Sequence, residues 1–275
     1  MSTVMNETNV LRVAALQFAP TWQDVMASLE QLDSHLDALS QQGRFDLIVL
    51  PEMFATGFSL DAVAAESENG RVARWMQQVA TRFNAAVVGS IKMSSQGALF
   101  NRLRFTAPND RCVDYDKVHL FGAERKVIAA GRERVVVNFR GFRILLQTCY
   151  DLRFPVFCRN QDDYDVLLNV ASWPQPRIAH WRALLKARAI ENLSFVLGVN
   201  RIGVDGNDWR YSGATECLSP LGESLAAAAD NSAEWIHCEL SKSQLQQVRQ
   251  EFRFLDDRDE FSLNSVTNRY QDCIE

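Results

Sequence analysis

Short apolar runs alternate with amphipathic segments along most of this chain, and this alternation limits the folds that it can adopt. Residues 11–18, 45–50 and 166–171 are apolar runs of the length that buried strands have. In residues 72–83 and 178–189, apolar side chains recur at the spacing of one face of a helix. Alternating strands and helices are typical of buried sheets covered by helices, so the sequence predicts an α/β fold.

Several strand-like runs are joined by turn residues, which adds antiparallel strands to the prediction. Residues 135–139 and 142–148 flank a dipeptide that contains Gly141, and this arrangement predicts a hairpin. Residues 97–117 contain short strands around a central turn, and residues 211–240 have a β-pattern. We therefore expect mixed sheets rather than purely parallel ones.

Nothing in the sequence divides the chain into separate units. It has no internal repeat or low-complexity tract, and 275 residues with 47% apolar content suffice for one large core. We expect a single domain over residues 10–275, preceded by a disordered tail over residues 1–9. The net charge of −5, without a cluster of Lys or Arg, argues against nucleic acid as a partner. The apolar runs are too short to span a bilayer, so no membrane partner is expected.

Cysteine and histidine usage argues against disulfides and metal sites. The polar N-terminus lacks the features of a signal peptide, which predicts a cytoplasmic protein with reduced thiols. The six cysteines include no C-x-x-C pair and the four histidines are scattered, so no zinc site is expected. The glycine-rich motifs that cradle phosphates are also missing. We expect neither a metal nor a cofactor.

Three chemically capable residues lie where strand-like segments end. Glu52 and Cys149 each follow an apolar run, and Lys117 ends the strand-like residues 97–117. Ligand sites in α/β folds gather at the carboxyl ends of strands, so these side chains are candidates for one site. A carboxylate in such a position is partly desolvated, which suits it to general-base catalysis near neutral pH.

Each of the three residues has a simpler interpretation when it is taken alone. Glu52 could be a surface acid, Lys117 a solvated lysine and Cys149 an inert apolar filler, which is how we interpret the other five cysteines. Together, however, they can perform acyl transfer. The carboxylate takes the thiol proton and returns it to the leaving amine, while the ammonium and the N–H of Tyr150 stabilise the tetrahedral oxyanion.

The segments that contain these residues resemble, in order, the motifs of the nitrilase superfamily of carbon–nitrogen hydrolases. They are residues 50–54 (L-P-E-M-F), 115–121 (Y-D-K-V-H-L-F) and 149–155 (C-Y-D-L-R-F-P). The third is fairly specific alone, and all three in order are a strong match. The resemblance extends from about Val10 to about Phe261.

This resemblance implies a four-layer α-β-β-α sandwich with two mixed β-sheets. It also implies that Glu52 is the general base, Lys117 the oxyanion stabiliser and Cys149 the nucleophile. Members of the superfamily have a second active-site glutamate shortly after the lysine motif, and Glu124 is the matching residue here. Taken alone, Glu124 could equally be a surface acid beside two basic residues.

Further segments are similar to the omega-amidase branch of this superfamily. They are residues 52–58 (E-M-F-A-T-G-F), 171–181 (A-S-W-P-Q-P-R-I-A-H-W) and 186–192 (K-A-R-A-I-E-N). This similarity implies a thiol amidase that acts on the omega-amide of 2-oxoglutaramate or 2-oxosuccinamate through a cysteine thioester. Ammonia leaves first, and water then releases the dicarboxylate.

A substrate with a 2-oxo-carboxylate tail needs a cation and hydrogen-bond donors at the far end of the pocket. Arg177 is the first candidate for that cation, since it follows the strand-like residues 166–171 and could reach the cleft. His180, in the next helical turn, is a second candidate, and Trp173 could form a wall. The alternatives are an exposed arginine at a helix start and a core tryptophan.

Three charged residues near these segments have structural interpretations. Arg188 and Glu191 are three apart on one predicted helix and should form a pair. Arg153 follows shortly after Cys149, and we interpret it as an ion-pair partner that holds the turn.

Other functions remain open at this stage. The same chemistry would serve a nitrile hydrolase, an N-carbamoyl amide hydrolase or a dipeptide-like amidase. A catalytically silent scaffold is less favoured, because it has no need of a complete Glu, Lys and Cys set. The expected partners are a small amide and water, and the resemblance further implies a homodimer or a higher homo-oligomer. Helix residues after Cys149 and the tail from about Phe252 are the interface candidates.

Overall fold

The computed structural model describes residues 9–61 and 65–273 of the chain. The strands are β1 (Val10–Gln17), β2 (Leu47–Val49), β3 (Ala86–Ser95), β4 (Ala98–Thr106), β5 (Cys112–Asp116), β6 (Glu133–Phe139), β7 (Phe142–Thr148), β8 (Val166–Ala171), β9 (Phe195–Asn200), β10 (Ile202–Val204), β11 (Arg210–Ser212), β12 (Glu216–Leu218), β13 (Ser224–Ala227), β14 (Glu234–Ser241) and β15 (Thr267–Asp272). The helices are α1 (Val25–Leu39), α2 (Arg71–Phe83), α3 (Pro155–Cys158), α4 (Ile178–Asn192) and α5 (Lys242–Phe252). None of these helices is long and apolar enough to cross a membrane. Apart from Asn9, the predicted N-terminal tail lies outside the described residues.

The first large sheet has six strands in the order β14-β1-β2-β3-β4-β5. β1, β2 and β3 are parallel, while β14 on one side and β4 and β5 on the other are antiparallel to their neighbours. All three residues of β2 are buried. The central strands are therefore covered on both faces, as their near-continuous apolar sequence requires.

The second large sheet has seven strands in the order β13-β12-β9-β8-β7-β6-β15. β7, β8 and β9 are parallel, and β6 and β12 flank them as antiparallel neighbours. The predicted hairpin between β6 and β7 turns at Arg140 (φ +45°) and Gly141 (φ +79°). Both residues adopt the left-handed conformation that favours a two-residue hairpin turn. Both sheets are mixed, as the hairpin pattern predicts.

Three apolar clusters place the sheets and helices in four layers. One lies between the two sheets and includes Val49 of the first and Leu168 of the second. Another joins the outer face of the first sheet to α1 and α2, with Leu32 and Val79 in its centre. A third joins the second sheet to α4. Successive strand residues point to opposite faces, so Leu167 packs under α4 while Leu168 packs between the sheets. The order is α-β-β-α.

Local sequence signals set the ends of the helices. α1 begins after Asp24, whose side chain accepts a hydrogen bond from the N–H of Ala27 at 3.0 Å. This cap satisfies one of the unpaired donors of the first turn. α2 ends at Phe83, and the following Asn84 takes the left-handed conformation (φ +47°) common after helices.

The C-terminal residues contain a strand that the sequence pattern does not predict. β15 pairs in parallel with β6 over six residue pairs, from Thr267 opposite Glu133 to Asp272 opposite Asn138. Its side chains are mostly exposed and polar, so it lacks the apolar alternation by which strands are recognised. Backbone hydrogen bonds to the sheet edge, rather than burial, hold it in place.

Candidate active site

Glu52, Lys117, Glu124 and Cys149 converge at one end of the sandwich. Glu52 follows β2, Lys117 follows β5 and Cys149 follows β7, while Glu124 lies on a short 3-10 helix over Gly122–Lys126. The three charged side chains are fully buried and Cys149 is 9% exposed. Because β2 and β5 belong to one sheet and β7 to the other, the cluster lies where the two sheets meet.

The turn at Cys149 has an uncommon backbone conformation. Cys149 has φ +49°, in the left-handed region that non-glycine residues rarely adopt. Such a conformation costs on the order of 1–3 kcal/mol, which the surrounding contacts must offset. The buried Asp151 carboxylate accepts a hydrogen bond from the N–H of Thr148 at 3.0 Å. It also accepts from the hydroxyl of Tyr115 at 2.6 Å and the N–H of His119 at 2.9 Å, which ties the turn to the loop of Lys117.

Arg188 holds the same turn from the helix layer. Its guanidinium donates to the carbonyl of Leu152 at 3.1 and 2.7 Å, and the predicted pair with Glu191 is present at 2.9 Å. Arg153, in contrast, forms no ion pair with any acid in the described part of the chain and instead lies 4.7 Å from the ring centre of Trp173. The prediction that Arg153 holds the turn through an ion pair was wrong, because its side chain lines the neighbouring cavity.

The ammonium of Lys117 lies between the two glutamates. Its Nζ is 2.9 Å from Oε1 of Glu52 and 2.8 Å from Oε2 of Glu124. Burial by itself lowers the pKa of Lys117, but the two carboxylates outweigh burial and raise it above its ordinary value. Lys117 is therefore a fixed positive charge. Burial raises the pKa of Glu124, and the charge of Lys117 opposes this shift only in part.

Asn101, a residue of β4 that is not among the sequence-based candidates, connects the two carboxylates. Its Nδ2 donates to Oε1 of Glu52 at 2.7 Å and to Oε1 of Glu124 at 3.2 Å. Its Oδ1 accepts from the hydroxyl of Ser90 at 2.8 Å. The other oxygen of Glu52 accepts from the N–H of Ser172 at 2.7 Å. The available sequence signal for Asn101 is an amide on a strand face whose other residues, Leu99, Leu103 and Phe105, are apolar.

The thiol of Cys149 lies beside the carboxylate of Glu52. Burial and then the charge of Glu52 raise the pKa of Cys149 well above that of an ordinary thiol, and Lys117 offsets this only in part. The resting sulfur is therefore a neutral thiol beside a carboxylate, not a thiolate. This arrangement suits transfer of the proton to Glu52 while the sulfur attacks a substrate.

A cavity of about 570 Å³ opens onto Cys149 and Lys117. This size suits a small molecule. Its walls are largely aromatic and include Trp22, Phe58, Phe121, Trp173, Trp209 and Tyr211. The cavity therefore offers a mostly apolar enclosure with a nucleophile at its base.

Two cations in the cavity wall have no acidic partner. The guanidinium of Arg177 lies 5.2 Å from the ring centre of Phe121 and 5.5 Å from that of Trp209. Neither Arg177 nor Arg153 forms an ion pair with an acid in residues 9–61 and 65–273. Both can therefore receive an anionic group from a ligand.

The acids of the cavity wall, in contrast, already have partners. Asp205 accepts hydrogen bonds from the N–H of Trp209 at 3.1 Å and the hydroxyl of Tyr211 at 2.8 Å. Asp61 lies 3.3 Å from Nζ of Lys92 and accepts from the side-chain amide of Gln23 at 2.6 Å. The oxygens of both acids are therefore engaged by donors of the protein, whereas no described acid engages the guanidinium groups of Arg153 and Arg177, which favours acidic ligands over basic ones.

The other two predicted substrate-binding residues differ in position. Trp173 lines the cavity, and its Nε1 donates to the carbonyl of Arg177 at 2.8 Å, which anchors the loop that carries Arg177. His180 is exposed and is not among the residues that line the cavity. Its Nδ1 lies 3.2 Å from Nη2 of Arg153, so it contacts the cavity only through that arginine.

The arrangement can carry out acyl transfer. A neutral thiol beside a carboxylate supplies a nucleophile and its base, and Lys117 supplies a positive charge for an oxyanion. The N–H of Tyr150 lies in the first turn of the 3-10 helix Cys149–Arg153, where backbone donors have no partner within the helix. Among the described residues, no group of three or more His, Cys, Asp or Glu side chains is arranged to hold a metal ion. Fold and site thus define the class of thiol-dependent acyl-transfer enzymes.

Comparisons with known proteins agree with this class. The family model for carbon–nitrogen hydrolases matches residues 12–250. Omega-amidase YafV of Escherichia coli K12 is 43% identical over 255 residues, which cover 92% of this chain and 98% of that protein. The 2-oxoglutaramate amidase of Paenarthrobacter nicotinovorans is 37% identical over 81% of each chain. The protein belongs to the carbon–nitrogen hydrolase family.

A solved structure supports the fold assignment. XC1258 from Xanthomonas campestris, described as a carbon–nitrogen hydrolase superfamily protein with an arsenic adduct in its active site, superimposes with a TM-score of 0.89. The two chains are 39% identical, and the match covers 93% of this chain and 99% of that one. The predicted nitrilase-like fold is thereby confirmed.

Proposed function

We propose that this protein is an omega-amidase that hydrolyses small 2-oxo dicarboxylic acid monoamides to the dicarboxylate and ammonia. One observation carries the proposal: the cavity that opens onto Cys149 holds two guanidinium groups, Arg153 and Arg177, with no acidic partner among the described residues. A small amide that reaches the thiol with one end would present its carboxylate to these cations with the other. The names of the relatives from Escherichia coli and Paenarthrobacter nicotinovorans support the same substrate class.

In the first half of the proposed reaction, Glu52 accepts the proton of the Cys149 thiol as the sulfur attacks the amide carbon. The carbonyl oxygen becomes an oxyanion, which the ammonium of Lys117 and the N–H of Tyr150 stabilise. The C–N bond then breaks, and the leaving nitrogen takes the proton from Glu52 and departs as ammonia. A thioester and an ionised Glu52 remain. Glu124 holds Lys117 in position from the opposite side.

In the second half, a water molecule attacks the thioester while Glu52 accepts its proton. Lys117 and Tyr150 stabilise the second oxyanion as they did the first. The C–S bond breaks, the sulfur of Cys149 recovers its proton from Glu52, and the product leaves as a carboxylic acid that ionises in water to the dicarboxylate. No proton leaves the site during thiol attack or water attack, so the buried net charge stays constant, which limits the cost of desolvation.

The substrate carboxylate is assigned to Arg177, with Arg153 beside it. Trp173 anchors the Arg177 loop and forms one wall, and His180 is assigned a supporting contact to Arg153. Arg177 is half-buried and its guanidinium lies over two aromatic rings, so it loses little freedom when it binds a carboxylate.

Ammonia release tests the proposed substrate class. The substrates are 2-oxoglutaramate, 2-oxosuccinamate, glutamine, asparagine, simple nitriles and N-carbamoyl amino acids, and we expect the two 2-oxo acid amides to give the highest kcat/KM. A higher value with a nitrile or an N-carbamoyl amide would reject the omega-amidase proposal in favour of another branch. Ammonia release from none of them would favour a catalytically silent scaffold.

Arg177→Ala tests the carboxylate assignment. It should raise KM for 2-oxo acid amides more than for neutral amides, since only the former lose an ionic contact. Arg182→Ala is a matched control, because Arg182 lies on α4, which begins directly after Arg177, is exposed and pairs with Asp230 away from the cavity. Equal effects of Arg177→Ala on both substrate types would remove Arg177 from this role.

We further propose that residues 10–275 act as a single domain, in the cytoplasm and as a homodimer or larger homo-oligomer. All six cysteines are free thiols, which supports a reducing compartment. Val156 of α3 and Ile190 of α4 are 53% and 42% exposed, and apolar side chains on these helices support self-association. Light scattering after size exclusion would measure the mass of the assembly, and Val156→Glu with Ile190→Glu should shift it to the monomer. An unchanged mass would reject this interface.

A further inference from the structure

A two-stranded hairpin, separate from both large sheets, forms one wall of the active-site cavity. β10 and β11 pair in antiparallel, and the loop between them brings Trp209 to the cavity. Trp209 is 46% exposed, so core packing does not account for its large aromatic ring. Trp209 also takes no part in the proposed reaction steps.

The loop that carries Trp209 is held firmly at two points. Inside the loop, the carboxylate of Asp205 accepts from the N–H of Trp209 at 3.1 Å and the hydroxyl of Tyr211 at 2.8 Å. Gly206, in the same loop, lies directly against the indole of Trp22, where an added Cβ would meet a ring atom at 2.2 Å. The backbone at Trp209 is therefore fixed relative to the cavity, although its side chain is half exposed.

The ring of Trp209 meets the guanidinium of Arg177, at 5.5 Å from the ring centre. Phe121 meets the same guanidinium at 5.2 Å and also packs edge-on against Tyr150 at 5.1 Å. A guanidinium over an aromatic face is attracted to it electrostatically. The guanidinium has five N–H donors and no described acid engages them, so donors remain for a carboxylate.

We propose that Trp209 is a positioning residue for substrate specificity, which holds the guanidinium of Arg177 where it meets the carboxylate of a small acidic amide. This inference rests on the proposed function. Trp209 acts through Arg177 and not on the amide that is cleaved. Loss of the ring therefore weakens binding of acidic amides and leaves neutral amides almost unaffected.

Kinetics on a charged and a neutral amide of the same chain length test this inference, with 2-oxoglutaramate and pentanamide as the pair. Trp209→Ala should raise KM for 2-oxoglutaramate about ten-fold, the order expected for loss of a partly desolvated cation–π contact. Its kcat, and both constants for pentanamide, should change by less than about two-fold. Trp209→Phe keeps an aromatic face and should restore most of the wild-type KM. Val204→Ala, an exposed change on the same hairpin away from the cavity, is the control.

A double-mutant cycle separates positioning from a general structural effect. In an Arg177→Ala background, Trp209→Ala should no longer change the ratio of kcat/KM for the two amides. If the ratio still changes there, or if Trp209→Ala weakens both amides equally, the inference is wrong. Trp209→Leu keeps apolar volume without a ring and replaces the alanine variant if that variant does not fold.

The wild-type ratio of kcat/KM for the two amides separates a failure of the proposed function from a failure of the role of Trp209. A wild-type enzyme that does not prefer 2-oxoglutaramate to pentanamide overturns the proposed function, and the role of Trp209 with it. A clear wild-type preference that survives Trp209→Ala overturns the role of Trp209 alone.

Discussion

Replacement of Asn101 by leucine should remove most of the activity although Glu52, Lys117 and Cys149 are all still present. Asn101 is fully buried and donates to Oε1 of Glu52 at 2.7 Å and to Oε1 of Glu124 at 3.2 Å. Leucine is close to asparagine in size but cannot donate a hydrogen bond. The variant therefore deletes the donor that the two carboxylates share and little else.

The expected size of the effect follows from the charge of the acceptors. A hydrogen bond to a charged group contributes about 1.5–3 kcal/mol, and the longer contact to Glu124 should lie at the low end of that range. We expect the free energy of unfolding to fall by about 2–4 kcal/mol, since Lys117 still satisfies both acids. We expect kcat/KM to fall about 100-fold, or about 2.7 kcal/mol, because Glu52 is no longer aligned with the thiol.

The pH dependence gives a second, independent readout. A donor to a carboxylate favours its charged form, so removal of Asn101 raises the pKa of Glu124 further above its ordinary value. Since Glu124 must be ionised to hold Lys117, the acid limb of the kcat/KM profile should move to higher pH. Ammonia release measured across the pH range, together with urea unfolding, would report both effects.

Asn169→Leu is the matched control. Asn169 is also a fully buried asparagine on a strand, but neither of its side-chain polar atoms has a hydrogen-bond partner in the described part of the chain. The same substitution there should leave kcat/KM within about two-fold of wild type. The role of Asn101 as the shared donor to the two carboxylates is refuted if Asn101→Leu loses no more activity than Asn169→Leu. Lower activity with an unmoved acid limb would mean that Asn101 supports the fold and not the carboxylates.

Three further outcomes follow from the site. Cys149→Ala should lower turnover by at least about 10⁴-fold with an unchanged circular dichroism spectrum, and full activity would reject Cys149 as the nucleophile. Burial and Glu52 raise the pKa of Cys149, so the rate of its alkylation by iodoacetamide should still increase with pH above about 8.5, the pKa of an ordinary free thiol. Mass spectrometry would measure this rate. A rate that stops increasing at lower pH would indicate a stabilised thiolate instead. Arg188→Leu should lower the free energy of unfolding by about 2–4 kcal/mol, because the carbonyl of Leu152 loses both donors, and urea titration that shows no loss would contradict this.

Much of the fold could be predicted because strand and helix signals are local. The predicted strand 166–171 has the same bounds as β8, and the predicted hairpin turns at Gly141 as observed. Apolar periodicity indicates which face of an element is buried, and a continuous apolar run indicates a strand that is covered on both faces. β15 lacks this signal, because its contacts are backbone hydrogen bonds at a sheet edge.

The positions of the candidate catalytic residues at the ends of strands were also predictable. Glu52, Lys117 and Cys149 could be placed at strand ends from the sequence, and Glu124 by family resemblance. Their partners could not. Asn101 is a buried amide on a strand, as Asn169 also is, and nothing in the local sequence links it to Glu52, 49 residues away.

The sequence by itself determined the α/β layering and which side chains stand at the ends of strands, because both depend on residues that are neighbours along the chain. Only the tertiary structure decided which charges are neutralised and which face a ligand. It placed Lys117 between two carboxylates, tied Arg188 to the Leu152 carbonyl, and left Arg153 and Arg177 open to the cavity. The physical reason is that a charged side chain pairs with an opposite charge or a hydrogen-bonding group within a few ångströms. In the folded protein those groups belong to strands and loops that are remote in sequence.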